Sequence, residues 1–106
     1  MPVQIQKLLQ ELKSGLAQIY GGQLKAVYLY GSYARGSNVT GSDLDVLVVL
    51  TDFQRRAAEI RRTSELVGSL SYEYEVTISP VFIRENEWRN TSFALLRNVK
   101  AEGVAV

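Results

Sequence analysis

Two aspartates two residues apart, Asp43 and Asp45, follow a Gly-Ser pair, Gly31-Ser32, after a spacer of ten residues. Apolar runs flank this stretch, Ala26 to Tyr30 before it and Val46 to Leu50 after it. Both runs read as strands, so the Gly/Ser-rich piece falls at strand ends. Carboxylates at alternate strand positions share one face of a sheet. Their Cα atoms are roughly 6.6 Å apart at about 3.3 Å rise per residue, which lets the side chains converge on a pair of divalent ions about 3.5–4 Å apart. Like charges on one face repel and raise each other's pKa unless a cation intervenes. The alternative is a pair of surface aspartates. Gly31 lets a ligand approach the backbone closely, and Ser32 offers a hydroxyl and an amide to an anion such as the outer phosphates of a nucleoside triphosphate. The alternative there is an ordinary turn followed by an N-cap serine. The chemistry indicated is a metal-dependent phosphate site.

Composition narrows that chemistry. The chain has 106 residues, no histidine, no cysteine and a net charge of +1. The absent side chains remove disulfides, thiolate zinc sites, the commonest metal ligand and general base, and triad hydrolysis. Any metal must sit on oxygen ligands, which favours Mg²⁺ or Mn²⁺. No Gly-x-x-x-x-Gly-Lys sequence occurs, so a P-loop is excluded. A balanced net charge gives no drive towards nucleic acid or membrane, and neither a signal peptide nor a transmembrane-length apolar run is found. The expectation is one cytoplasmic domain over residues 1–106. Its small size leaves much surface exposed and suits homo- or hetero-oligomeric assembly.

The elements that must position the site follow from periodicity. Val3, Ile5, Leu8, Leu9, Leu12, Leu16 and Ile19 predict an amphipathic helix ending at Gly21-Gly22. A first strand runs from Leu24 to Tyr30, followed by a short helical turn from Gly31-Ser32 to Arg35-Gly36 and a loop over Ser37 to Ser42. Asp43 to Leu50 is a second strand, apolar on both faces after Asp45, as for an interior strand covered by helices. Thr51-Asp52 starts a helix whose stripe is Phe53, Ala57, Ile60, Val67 and Leu70. Its Arg55, Arg56, Arg61 and Arg62 read as a solvated face before they read as a phosphate patch. Alternation over Tyr72 to Ile83 predicts a third strand, placed at an edge or bulged by Pro80. Arg84 to Trp88 begins a short helix, and Ser92, Phe93, Leu95, Leu96 and Val99 form a last apolar stripe before Gly103.

Glu75 lies in that third strand, where a third carboxylate could bind one ion or take a proton. Glu73 could replace it, and both could simply be exposed glutamates. Arg35, one helical turn from Ser32, is either a phosphate ligand or a surface arginine.

The spacing Gly31-Ser32, ten residues, Asp43-x-Asp45 resembles the signature of the polymerase-β-type nucleotidyltransferase superfamily. The fuller text GSYARG…SDLDVLV, with the ending LLRNVKAEGV, resembles its shortest branch, the minimal nucleotidyltransferases (MNT proteins). The resemblance implies an α/β (α+β) nucleotidyltransferase fold, a small mixed sheet of three principal strands in order 1-2-3 flanked by helices. It implies transfer of AMP from ATP with pyrophosphate leaving. Asp43, Asp45 and Glu75 would be catalytic and hold two Mg²⁺ ions, and Gly31, Ser32, Arg35 and Ser42 would bind the nucleotide. Glu75 stands where the family usually has an aspartate. The implied partner is a HEPN-domain ribonuclease toxin, adenylylated on a tyrosine by the MNT protein as antitoxin. The glutamate substitution leaves a second possibility, a weak or inactive enzyme that neutralises its toxin by occlusion.

Overall fold

The computed structural model describes all 106 residues. Helix α1 (Val3–Tyr20) buries Ile5, Leu8, Leu9, Leu12, Leu16 and Tyr20 on one face. Val3 and Ile19, assigned to that face by spacing, are exposed instead. The helix stops at Gly21, whose φ of 55° suits a residue without a Cβ. A short 3₁₀ turn then leads into β1 (Leu24–Tyr30), and α2 (Ser32–Arg35) follows at once. Next come β2 (Leu44–Leu50), α3 (Arg56–Tyr74), β3 (Ile78–Arg84), α4 (Glu85–Asn90), α5 (Ala94–Glu102) and β4 (Val104–Ala105).

The sheet order is β3-β2-β1-β4. β1 runs antiparallel to β2, and β2 runs parallel to β3, with α3 in the crossover between them. The anticipated 1-2-3 order of the principal strands is therefore present, with the short β4 added beside β1. β2 is interior, as its sequence requires: every residue in it is buried except Asp45. Leu44, Val46, Val48 and Leu50 pack against α1 and α3 on one face. Leu47 and Val49 meet Ile83, Leu96 and Val99 beneath α4 and α5 on the other. Each such side chain contributes roughly 1.5–3 kcal/mol by leaving water, so the strand that carries Asp45, with Asp43 just before it, is held from both sides.

The third strand and the helix before it depart from the sequence expectation. The third strand begins at Ile78, not Tyr72, because α3 continues to Tyr74. Helical spacing wins over local alternation there: Leu66, Leu70 and Tyr74 fall on one face and pack into the core. The Tyr74 hydroxyl also bonds to the Glu11 carboxylate of α1. The helix ends as Glu75 turns left-handed at φ 54°, with the Val76 N–H donating back to the Ser71 carbonyl.

The start of α3 is later than Thr51-Asp52 suggests. Asp52 accepts from the Phe53 N–H at 2.8 Å and pairs with Arg84 at 3.1 Å. Arg84 in turn donates to the Phe53 and Gln54 carbonyls. This polar tether keeps the segment extended until Arg56. Pro80 does sit on an edge strand.

Arg56 is no solvated face residue either. It donates to the Phe82 carbonyl at 3.0 Å and to Glu87 at 2.5 Å, while Glu87 also accepts the Arg84 N–H at the start of α4. Burial works to raise the Glu87 pKa. The Arg84 N–H and the Arg56 and Arg84 guanidiniums outweigh it and hold the carboxyl below its ordinary value. A depressed carboxylate adds stability above its unfolded pKa, and that stability is lost as pH falls through the folded value. Glu87→Gln should therefore cost about 1.5–3 kcal/mol at neutral pH. In urea denaturation the gap between variant and wild type should close on acidification below about pH 4.

Candidate functional site

The site forms where β1 ends and β2 begins. Antiparallel register sets Tyr30 opposite Asp45, so the two residues share the sheet face that α4 and α5 cover further along. Gly31 follows Tyr30 with φ 77° and ψ −156°, a conformation open essentially to glycine alone. A Cβ at this position would collide with Asp45 Oδ2. The chain can therefore lay its backbone against the carboxylate only here. The amides of Ala34 and Arg35 return to the Gly31 carbonyl, which winds α2 tightly enough to bring Ser32 and Arg35 to the same end of the sheet. Gly36, left-handed at φ 75°, closes that turn.

Asp43 is exposed and Asp45 is half-buried. Burial first, and then the like charge of Asp43, raise Asp45 above the ordinary carboxylate range, while Arg35 pulls it down. Burial, and then the Asp45 charge, likewise raise the Tyr30 phenol. The Asp43 charge thus adds to what burial does to Asp45. Their oxygens make a hard, anionic donor set, and a divalent cation between them would relieve the repulsion that raises Asp45. Carboxylate oxygens are the donor type that Mg²⁺ takes.

Ser42 serves the approach to β2. Its Oγ accepts the Val39 N–H at 2.9 Å, and its own N–H donates to the Val39 carbonyl. The hydroxyl thereby ties the Ser37–Ser42 loop into a turn just before Asp43.

Glu75 is not brought to the pair. It lies at the end of α3, outside β3, and no three acidic side chains form a group able to hold a metal ion. Strand register explains why. Leu44 faces Ile78 and Asp45 faces Ser79 in the parallel pairing, so even a longer β3 would set Glu75 beside Gly41. The positions beside Asp43 and Asp45 are Thr77 and Ser79, both hydroxyls. Ser79 and Tyr30, which flank Asp45 across the sheet, escaped sequence reading because their place depends on register. Glu102 of α5 escaped it too: it meets Arg35 at 3.4 Å, a contact between residues far apart in the chain. A cleft of about 290 Å³ lies between Tyr30, Gly31 and Arg35 on one side and Leu95, Asn98 and Glu102 on the other.

Comparison with known proteins bears on the family and the fold. A family model described as a nucleotidyltransferase domain matches residues 8–102. Three relatives come from Methanocaldococcus jannaschii and bear the name putative protein adenylyltransferase. MJ1305 is 30% identical over 84 residues, covering 78% of this chain and 57% of that protein. The chain thus spans little more than half of MJ1305. MJ0604 is 29% identical over 99 residues, covering 92% of this chain and 93% of the relative. Among solved structures, a nucleotidyltransferase assigned as putative from Sulfolobus solfataricus superposes with a TM-score of 0.67 at 22% identity, covering 96% and 80% of the two chains. A toxin–antitoxin complex with AMP-PNP gives 0.64 at 24% identity, covering 91% and 70%. The complex of a tri-AMPylated Shewanella oneidensis HEPN toxin with its MNT antitoxin gives 0.55 at 19%, covering 92% and 70%. At these identities the structures speak for the fold.

The backbone approach at Gly31 generates a direct test. Gly31→Ala adds both positive-φ strain and the collision with Asp45, and should cost about 1–3 kcal/mol in urea denaturation. Gly22→Ala meets no atom within 4 Å and should stay within about 0.5 kcal/mol of wild type.

Proposed function

Because the chain belongs to the nucleotidyltransferase-domain family, we propose that it is a Mg²⁺-dependent enzyme that transfers AMP from ATP to a tyrosine hydroxyl of a HEPN toxin and so acts as its antitoxin. The observation that carries this is the acidic pair Asp43 and Asp45, set at the mouth of a rigid strand against a glycine that clears the space for it. The family match supplies the reaction class. The relatives' names and the MNT–HEPN complexes among the similar structures support the protein acceptor.

In this proposal Asp43 and Asp45 hold two Mg²⁺ ions, whose contribution is to neutralise phosphate charge and make the attacking hydroxyl more acidic. Gly31 gives the triphosphate close access to the backbone, Ser32 donates its hydroxyl to it, and Arg35 adds a guanidinium at the same end. Ser42 braces the loop that leads to Asp43. A bond forms between the acceptor oxygen and the α-phosphorus. The bond from that phosphorus to the bridging oxygen breaks, pyrophosphate departs with the electron pair, and the acceptor's proton passes to water. Glu75 takes no part among the metal ligands.

A specific observation favours a second proposal, a binding antitoxin with weak or no catalysis. Thr77 and Ser79 stand beside the aspartates where a third carboxylate would complete a metal set.

Intact mass of the protein that co-purifies from the native source separates the two. With wild type, the partner should carry a nucleotide-sized mass increase. The Asp43→Asn, Asp45→Asn double variant should abolish it. An unmodified partner held equally well by both forms would establish occlusion and refute the transferase.

A further inference from the structure

A second cleft opens beside the acidic pair, away from Arg35. It measures about 700 Å³, and its walls include Tyr33 of α2, Ser42, Thr77, and Tyr72, Glu73 and Glu75 at the end of α3. Its lip touches the site directly. Ser42 immediately precedes Asp43, and the Leu44 N–H donates to the Thr77 carbonyl at 2.8 Å. Transfer to a protein needs a second substrate to arrive at Asp43 and Asp45 from a side the triphosphate does not use.

Charge divides the two sides. The smaller cleft balances Arg35 against Glu102, whereas no lysine or arginine lines the larger one and two glutamates do. A polyphosphate bearing several negative charges is repelled there. An extended peptide bearing lysine or arginine is attracted. Tyr72 is 88% exposed and presents its ring at the rim, a surface on which a guanidinium or an aromatic side chain can stack.

We infer that this cleft receives the acceptor: a protein segment in which the modified tyrosine is flanked by basic residues, held by Glu73 and Glu75 beside Asp43. The inference rests on the transferase proposal and names the substrate class of the same site. It also gives Glu75 a role. Its carboxylate recognises the acceptor from the end of α3.

The test uses the whole chain, Mg²⁺-ATP and two synthetic peptides, one with tyrosine among lysines and one with tyrosine among glutamates. Wild type should adenylylate the lysine peptide with the lower KM. Glu73→Gln with Glu75→Gln should raise that KM by roughly three- to tenfold, and Glu73→Lys with Glu75→Lys should turn the preference towards the glutamate peptide. ATP affinity, measured by calorimetry, should not change in either variant. Equal use of the two peptides, modification of neither by a wild type that binds ATP, or a preference untouched by both variants would overturn the inference. So would a change in ATP affinity, which would place the nucleotide in this cleft. A wild type that fails to bind Mg²⁺-ATP at all would instead refute the transferase proposal itself.

Discussion

The Asp45 carboxylate lies against the backbone of Gly31, and that contact governs the arrangement around it. It goes with the β1–β2 register, which sets Tyr30 opposite Asp45. It requires a residue without a Cβ at a positive φ, which then turns the chain into α2 and delivers Ser32 and Arg35. It also requires β2 to stay put while two carboxylates stand at its mouth. The apolar residues of that strand supply this constraint, buried on both faces between α1 and α3 below and α4 and α5 above. Specific geometry at one end of the strand is anchored by unspecific burial along the rest of it.

Where the sequence was legible, one periodic signal coincided with one structural role. The stripe of α1, apart from Val3 and Ile19, and the two-sided apolar run of β2 each had a single physical interpretation, and the structure carries both. The stretch from Tyr72 to Ile78 had two. Its alternation is genuine, but the helical face of Leu66, Leu70 and Tyr74 passes through the same residues and meets α1, so tertiary packing decides the matter. That one decision moved Glu75 from a strand to a helix end.

Register and long-range polar contacts were illegible for a different reason. Nothing local in Ser79 marks it as the neighbour of Asp45, and nothing in Glu102 marks it as the partner of Arg35. Both follow from how separate segments are brought together. Arg56 shows the same limit: its charge suggested solvent, whereas its guanidinium, like that of Arg84, holds backbone carbonyls and Glu87 at the junction of β3, α3 and α4. A charged side chain used as a tether has no signature of its own in the sequence.

The topology of the sheet also bears on the order in which the molecule can assemble. The stretch from the Gly-Ser pair to Asp43 is the connection of an antiparallel pair, residues 31–43 between β1 and β2, with Asp45 in β2 itself, while β3 must return in parallel across residues 51–77. Closing the shorter loop costs less chain entropy and needs no helix to bridge it. The residues proposed for phosphate and metal can therefore meet as soon as one hairpin-like pairing forms. The acceptor cleft, which needs the far end of α3 docked beside β2, becomes complete only with the crossover. One site thus draws its two halves from contacts of different range, and local opening at the end of α3 would loosen the acceptor half first while leaving Gly31 against Asp45.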